Sequence, residues 1–348
     1  MTSRVRRGFA LPAVLAVTGV VTLIFLVAIT ALSSLNAEAR SSRERARFLE
    51  SALTAEATVQ YLASTEPFDR RALNPGGTRM QAFGDDETAV SATPAVGAII
   101  PIYLDGRAYE IEGGTGGAPA VRVSLRDQAG MINLARLDDD QLRRLGDRVG
   151  APPALSRDLR ALYTDYVDED ELETLNGAER ARYDGAGPPN RRMLRPLEFL
   201  SLVGLRSSID RAKWRALRDE LAIDSQRLSM NVNTASAETL EVLFGITEQQ
   251  AVSAVAARER APFLSLADFA AASGASIYDD GEQIFTFPAG RIIYTIRDTR
   301  SAWRYRARVI LTPASLERPF WVDQSEMTEA SETAMANADA DRFPYTPR

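Results

Sequence analysis

The fold is decided by the first stretch of the chain, Arg4-Val5-Arg6-Arg7-Gly8-Phe9-Ala10-Leu11-Pro12, and by the apolar run that continues from it. From Phe9 to Leu32 the sequence is almost wholly apolar, and no charged residue follows Arg7 until Glu38. At about 1.5 Å per helical residue, this run can cross a hydrocarbon layer roughly 30 Å thick. The sequence therefore predicts a transmembrane helix over 9–35. The arginines are expected to hold the N-terminus in the cytoplasm and to place the bulk of the chain on the other side.

A cleavable secretory signal is the competing interpretation of this segment. Its apolar region normally spans about 7–15 residues and ends at small residues before the cut, whereas this run is longer and continues as a helical pattern. Beyond the span, apolar residues recur at alternating spacings of four and three, namely Phe48, Ala52, Ala55, Val59 and Leu62. One helix of about fifty residues explains both parts. An ordinary anchor followed by a separate surface helix is the alternative.

Composition excludes several kinds of chemistry. The chain has 348 residues, 45% of them hydrophobic, which is enough for two compact domains outside the membrane. It contains no cysteine, so disulfides, thiolate nucleophiles and sulfur-ligated metals are ruled out. It also contains no histidine, the commonest general base and zinc ligand, so we expect no enzyme. The net charge of −6 gives no support for nucleic-acid binding.

Turn-forming residues divide the chain into a part that contains strands, a helical middle and a tail. Residues 67–97 are rich in Pro, Gly, Asp and Thr, which is typical of a loop. Alternating segments predict strands over Ile99–Leu104, Arg107–Ile111, Ala120–Leu125, Arg291–Arg297 and Trp303–Leu311. Asp105-Gly106 predicts a hairpin between the first two. We expect a helix and the first part of a sheet over 36–134 and the remaining strands over 286–321. A helical insertion at 135–285 interrupts the sheet, and a disordered acidic tail follows at 322–348.

The helical middle contains a weak internal repeat. Pro196 stands where a first helical residue is favoured, and Gly204 ends that run. A similar arrangement recurs around Gly245-Ile246, where two apolar helical patterns meet. Both copies are typical of a helix-hairpin-helix or SAM-like unit. Two ordinary helix pairs packed on one core explain the same pattern.

The junction Arg6-Arg7-Gly8-Phe9-Ala10-Leu11-Pro12 resembles the leader of type IV prepilins. This resemblance makes 1–8 a leader that the prepilin peptidase removes after Gly8, with methylation of the new N-terminal Phe9. Most such subunits carry glutamate at the fifth mature position, where this chain has Ala13. A buried carboxylate needs a partner, and in these fibres that partner is the N-terminal amine of a neighbouring subunit. A subunit at the top of the fibre has no such neighbour, so Ala13 suits a tip position.

Further motifs follow the leader in a fixed order: 127–134 (Asp-Gln-Ala-Gly-Met-Ile-Asn-Leu), 165–170 (Asp-Tyr-Val-Asp-Glu-Asp), 176–179 (Asn-Gly-Ala-Glu), the hairpin at 196–204, and 231–235 (Asn-Val-Asn-Thr-Ala). Together they resemble the type II secretion system protein K family, a minor pseudopilin, from Gly8 to about Leu311. Two features depart from the family pattern. Tyr166 stands where tryptophan is usual, and the tail after Trp321 has no counterpart.

The resemblance implies an α+β fold in which a long pilin-like helix packs on an antiparallel sheet that holds an inserted all-α domain. It implies a single-pass protein of the bacterial inner membrane, mostly periplasmic, that initiates and caps the pseudopilus with minor pseudopilins I and J. The major pseudopilin, the prepilin peptidase, the secretin and secreted cargo are the other expected partners. We further expect the helix over 46–62 to contact I and J, because its apolar stripe is longer than one sheet requires.

A DNA-binding function is the alternative, because Asn231 to Phe269 also resembles the helix-hairpin-helix of membrane-anchored competence proteins. That motif holds a phosphate through a Gly-apolar-Gly turn supported by lysines, whereas the turn here is Gly245-Ile246-Thr247-Glu248. Between Met230 and Asp280 two arginines face seven acidic residues. Phosphate binding depends on positive charge, so we expect this surface to repel DNA.

One acidic cluster is a candidate metal site, formed by Asp165, Asp168, Asp170, Glu171 and Glu179. Asn176-Gly177 lets the chain turn back within it, and Ca²⁺ prefers six to eight oxygen ligands in irregular loops. The spacing does not fit an EF-hand, and spacing alone favours a solvated acidic surface. The family resemblance implies Ca²⁺ bound in the helical domain.

Overall fold

The computed structural model describes residues 10–75, 100–111, 120–185, 187–224, 230–277, 284–298, 303–312, 317–329 and 340–345. Its helices, in chain order, are α1 (Ala10–Thr65), α2 (Asp139–Arg148), α3 (Pro153–Val167), α4 (Leu205–Ser208), α5 (Arg211–Leu217), α6 (Ala237–Phe244), α7 (Glu248–Arg260) and α8 (Leu266–Ser273). Its strands are β1 (Ala72–Leu73), β2 (Ile102–Tyr103), β3 (Asp105–Ile111), β4 (Val121–Asp127), β5 (Ile132–Asn133), β6 (Leu221–Ala222), β7 (Met230–Asn231), β8 (Ile284–Phe285), β9 (Arg291–Arg297), β10 (Trp303–Leu311), β11 (Phe320–Glu329) and β12 (Asp341–Arg342).

Helix α1 is one continuous helix of 56 residues, as the apolar spacing predicts. Its first half exposes its apolar side chains from Leu11 to Leu35. Its second half buries the predicted stripe, from Phe48 to Leu62, against the sheet. Within the described residues, α1 is the helix long and apolar enough to cross a membrane, judged by length and composition.

The sheet that packs on α1 has six strands in the order β11-β10-β9-β4-β3-β12. All neighbours are antiparallel except β12, which is parallel to β3. Strands β4 and β9 are direct neighbours although the helical middle separates them in sequence. The predicted α+β class is therefore confirmed, with a long helix on a sheet and a helical domain inserted between two adjacent strands.

A buried carboxylate fixes the helix on the sheet. Glu56 of α1 accepts hydrogen bonds from the hydroxyls of Tyr294 and Tyr305 and from Gln60 Nε2, the last at 2.9 Å. Burial raises the pKa of Tyr305 to about 12, so its hydroxyl stays a donor at neutral pH. A rotation or slide of α1 would leave these buried groups unpaired, which costs free energy. The network therefore specifies one register between helix and sheet.

The inserted domain runs from the end of β4 to the start of β9 and has two apolar cores. One is formed mainly by α2, α3 and the segment 193–221, and the other by α6, α7 and α8. It is not wholly helical, because β5 pairs with β6 and β7 pairs with β8 as short parallel bridges. These bridges lie where the chain enters, crosses and leaves the insertion.

The hairpin predicted at Asp105-Gly106 is wrong. Both residues lie inside β3, at a bulge in its pairing with β4, where Gly106 has a φ of 90°. The Asp105 carboxylate pairs locally with the Arg107 guanidinium at 2.6 Å. Strand β2 pairs instead with β1, inside the segment predicted as a loop. An Asp-Gly pair supplies the same left-handed glycine to a bulge as to a turn, so local sequence does not distinguish them.

The disordered tail predicted from residue 322 is wrong for the part of it that the structure describes. Strand β11 pairs with β10 along its whole length, and Phe343 beyond β12 packs edge-on against Tyr109 at 5.9 Å between ring centroids. The acidic residues Asp323 and Glu326 pair with arginines of β10. Their charge is thus balanced across strands, which composition alone does not show.

The predicted contact surface over 46–62 also needs correction. Phe48, Val59 and Leu62 are fully buried in the chain's own core, so the stripe is not free for a partner. The exposed apolar side chains of this part of α1 are Leu53, 49% exposed, and Tyr61. An apolar contact between α1 and another subunit would therefore use the face that carries Leu53 and Tyr61, or the apolar first half of the helix.

Candidate functional site

The start of the 127–134 motif holds the two ends of the insertion together. Asp127, at the end of β4, is 1% exposed and accepts hydrogen bonds from Asn231 Nδ2 at 3.0 Å and Thr234 Oγ1 at 2.9 Å. It also accepts from the backbone amides of Ala129 and Ala289, which lie at the start and the end of the insertion. Burial raises the pKa of Asp127, and these four donors oppose that shift. The junction is a buried hydrogen-bond network centred on Asp127.

Neighbouring residues of the same motifs complete this junction. Asn233 donates to Phe263 O at 3.0 Å and accepts from Phe263 N at 2.8 Å, so it ties β7 to the segment before α8. A Cβ at Gly130 would lie 2.5 Å from Thr234 Oγ1, so only glycine fits there. Sequence reasoning used these residues as a family signature and missed their structural role. The signal available was a set of small polar residues beside apolar strands.

A second group of charges docks the insertion on the outer side of the sheet. Asp219 lies next to three guanidiniums from β9 and β10, with Arg304 at 2.8 Å, Arg297 at 3.1 Å and Arg306 at 3.9 Å. Burial raises the pKa of Asp219, but these arginines outweigh it and hold the pKa below its usual range. Glu220 pairs with Arg126 of β4 at 2.7 Å. The insertion is therefore held to the sheet by ion pairs as well as by its junction.

The acidic cluster begins with Asp165 near the end of α3 and continues on the loop that follows, and its members differ in environment. Asp165 is fully buried and accepts from Thr174 Oγ1 at 2.7 Å and Thr174 N at 3.1 Å. A Cβ at Gly177 would overlap the Asp165 carboxylate, so that glycine permits the loop to close. Asp170 and Glu171 are exposed. Asp165 thus shapes the loop with its hydrogen bonds.

Glu179 and Asp168 have properties expected of cation ligands. Glu179 is 6% exposed, yet neither carboxylate oxygen has a hydrogen-bond partner, and Asp168 Oδ1 is likewise buried without one. Burial and then the charges of Asp165, Asp168, Asp170 and Glu171 raise the pKa of Glu179. Burial and then Asp170 and Asp165 raise the pKa of Asp168. A buried, unpartnered carboxylate among like charges is costly, and a divalent cation would offset that cost.

The cluster is not preassembled as a complete coordination shell. Within the described part of the chain, no three acidic side chains are already placed closely enough to hold an ion. The structure places Asp165 in the last turns of α3 and the other four predicted residues on the loop after it, where their charges act on one another and Glu179 is buried. The residues present fit a cation electrostatically, and binding would have to draw the exposed carboxylates inward.

The helical hairpin of the DNA-binding alternative is occupied by the chain itself. Gly245 ends α6 with a φ of 67°, and Thr247 caps α7. Arg144 of α2 donates to Val242 O at 2.7 Å and to Leu243 O at 3.0 Å, which covers the end of α6. The hairpin is thereby packed into the helical domain.

Positive charge is also withdrawn from that hairpin surface. Arg258 is buried, donates to Val232 O at 2.9 Å, and has its pKa lowered to about 10 by burial. Glu259 pairs with Arg107 of the sheet at 2.9 Å. Phosphate binding requires accessible cations. The geometry therefore does not favour a nucleic-acid interface.

The predicted processing residues Gly8 and Phe9 lie outside the described residues. The description begins at Ala10, already in α1, and Ala13 and its neighbours are exposed along the apolar half of that helix. The described residues thus combine an exposed apolar helix, a sheet and a docked helical insertion. Within that part of the chain, these features amount to a pilin-like fold with one candidate membrane span.

Comparisons with known proteins agree with that class. Residues 230–283 match the family model of type II secretion system protein K. The fold matches a chain in the crystal structure of the GspK-GspI-GspJ complex of the type 2 secretion system from enterotoxigenic Escherichia coli, with a TM-score of 0.54 and 15% sequence identity, over 84% of this chain and 100% of that one. No curated protein sequence matches this chain. Over residues 230–283 the family model agrees with the protein K resemblance stated from the sequence, and the solved structure shows a shared fold.

Proposed function

We propose that this chain initiates and caps a type II secretion pseudopilus, together with minor pseudopilins I and J, for export of folded proteins across the outer membrane. The observation that carries the proposal is the combination of the protein K match with a pilin-like helix that bears Ala13 instead of glutamate. A subunit without that carboxylate needs no amine from a subunit above it. The role is structural and involves no catalysis.

Orientation and anchoring follow from the same helix. The apolar half of α1 supports anchoring in the inner membrane, and the leader arginines support a cytoplasmic N-terminus. The sheet and the insertion then lie in the periplasm. A partner helix can pack on the exposed face of α1, which carries Leu53.

Assembly is tested by co-purification of the full-length tagged chain with I and J from detergent-solubilised membranes. We expect all three to elute together. Leu53→Ser should reduce recovery of I and J about tenfold, because burying a leucine contributes roughly 1.5–3 kcal/mol. Leu197→Ser is the matched control, since Leu197 is 59% exposed on the insertion, away from α1. Separate elution of the three folded proteins would remove the main support for the tip complex.

We also propose Ca²⁺ as the ion for the acidic loop. Asp168, Asp170 and Glu179 would hold it, with Glu171 at the exposed edge and Asp165 fixing the loop through Thr174. The bound ion supplies positive charge that offsets the repulsion among these carboxylates and ties the loop to α3. The unpartnered oxygens of Glu179 support this assignment.

A further inference from the structure

The part of α1 between the apolar run and the core carries an unusual charge distribution. From Ala37 to Arg47 the helix has four arginines and two glutamates. The helix is unbroken through this segment, and its residues are exposed until Phe48 enters the core. This segment therefore connects the apolar half of α1 to the folded sheet as a continuous, exposed stretch of helix.

Three of the arginines share one face of the helix. Arg40, Arg43 and Arg47 are spaced by three and four residues, so their side chains lie above one another. Arg45 points away from them and stacks over the Trp303 ring of β10 at 5.2 Å. The remaining three guanidiniums are exposed. We call Arg40, Arg43 and Arg47 the arginine face.

The carboxylates near this face do not neutralise it. Glu44 lies at its edge, within helical reach of Arg40 and Arg47, but makes no ion pair with them in the described structure. Glu38 lies on the side of Arg45. The face therefore has three exposed positive charges, and guanidinium groups bind phosphate in bidentate geometry.

Position along the helix identifies the source of phosphate. With a rise of about 1.5 Å per residue, Arg40 lies roughly 8 Å and Arg43 roughly 12 Å beyond Leu35, the last residue of the apolar run. The headgroup layer is about 5–8 Å deep on each side, and an arginine side chain reaches back toward it. Arg47 lies further out, yet within about one Debye length of that layer.

We propose that the arginine face binds the phosphate groups of anionic phospholipids in the leaflet from which α1 emerges. These contacts fix the depth of the helix and resist its withdrawal from the bilayer. The proposal rests on the membrane insertion contained in the proposed function and is independent of I and J. Removal of the subunit into a fibre would have to break these contacts.

The test uses native mass spectrometry of the full-length chain in neutral detergent, with phosphatidylglycerol or phosphatidylcholine of identical acyl chains added. We expect the wild-type chain to retain phosphatidylglycerol at least about tenfold better. Each arginine near an anionic surface contributes about fivefold in binding, so R40Q/R43Q/R47Q should lose at least about tenfold in that retention. Its retention of phosphatidylcholine should not change.

The control variant R206Q/R211Q/R215Q removes three exposed arginines from the insertion and should behave as wild type. Equal phosphatidylglycerol retention by R40Q/R43Q/R47Q and wild type would overturn the proposal. So would full competition by soluble glycerol phosphate, which would indicate a site for free phosphate. If R40Q/R43Q/R47Q lost I and J but kept the lipid retention of the wild type, the arginine face would be a protein interface instead. If the tip complex alone is wrong, the wild-type chain will elute without I and J but will still retain phosphatidylglycerol selectively.

Discussion

The variant Gly8→Asp is expected to accumulate uncleaved in the membrane, with Met1, formylated or not, still at the N-terminus. The prediction follows from the leader resemblance, in which the peptidase cuts after Gly8 and accommodates no side chain there. An acidic side chain also places a charge next to the membrane-facing cut, where desolvation is costly. We expect essentially complete loss of processing, the largest effect of any single substitution proposed for this chain.

The measurement is N-terminal mass spectrometry of membrane-extracted protein. The wild-type chain should begin at methylated Phe9, and Gly8→Asp should retain residues 1–8. Gly19→Ala is a suitable control, because that glycine lies in the same helix with open space around it. An intact leader in the wild type, or a cut beyond Leu32, would contradict the prepilin assignment.

Calcium is expected to raise the thermal stability of the protein through the acidic loop. A ligand that binds only the folded state stabilises it by about 2.7 kcal/mol at a concentration one hundred times its dissociation constant. For a chain of this size, that corresponds to a rise in Tm of roughly 3–5 °C. The comparison is unfolding of the full-length protein in detergent with chelator, with Ca²⁺ and with Mg²⁺ at equal ionic strength.

Matched variants assign the effect to the loop. Asp168→Asn with Asp170→Asn should abolish most of the calcium response, whereas Glu44→Gln with Glu50→Gln should keep it. The second pair removes two exposed carboxylates from α1. An equal response to both ions, or an unchanged response in the Asp168/Asp170 variant, would return the cluster to a solvated acidic surface.

The raised pKa values of Glu179 and Asp168 set the sign of the pH dependence. Without calcium, the folded state binds protons more tightly than the unfolded state at these groups. Their contribution to stability is therefore fully present below the unfolded pKa, near 4, and is lost as pH rises through the folded pKa. Protons compete with the cation, so the calcium response should fade as pH falls through the same range. Comparison of wild type with Glu179→Gln isolates this contribution.

The elements that sequence predicted well are those whose cause is local. The apolar run and the stripe from Phe48 to Leu62 follow helical periodicity, and the structure contains one continuous α1. The predicted break between two helical patterns at Gly245 likewise has a local cause, and Gly245 ends α6. The α+β class could be predicted because alternating and helical patterns occupy separate parts of the chain.

The predictions that failed depend on contacts between residues far apart in the sequence. Asp105-Gly106 became a bulge because β3 pairs with β4 beyond it, and the acidic tail became β11 because β10 offers arginines across the strands. Of the acidic cluster, sequence located the residues but not the burial of Glu179. The hydrogen-bond network around Asp127 brings together groups more than one hundred residues apart, which no local sequence pattern predicts.

We propose that this chain acts in type II secretion, and the most direct test is the extracellular proteome of the organism that encodes it. Deletion of the chain should move a set of folded proteins from the medium to the periplasm, and deletion of minor pseudopilin I in the same strain should have the same effect. The wild-type chain should restore their export, and Gly8→Asp should not. Unchanged extracellular amounts of those proteins in the deletion strain, while loss of I still blocks their export, would contradict the account.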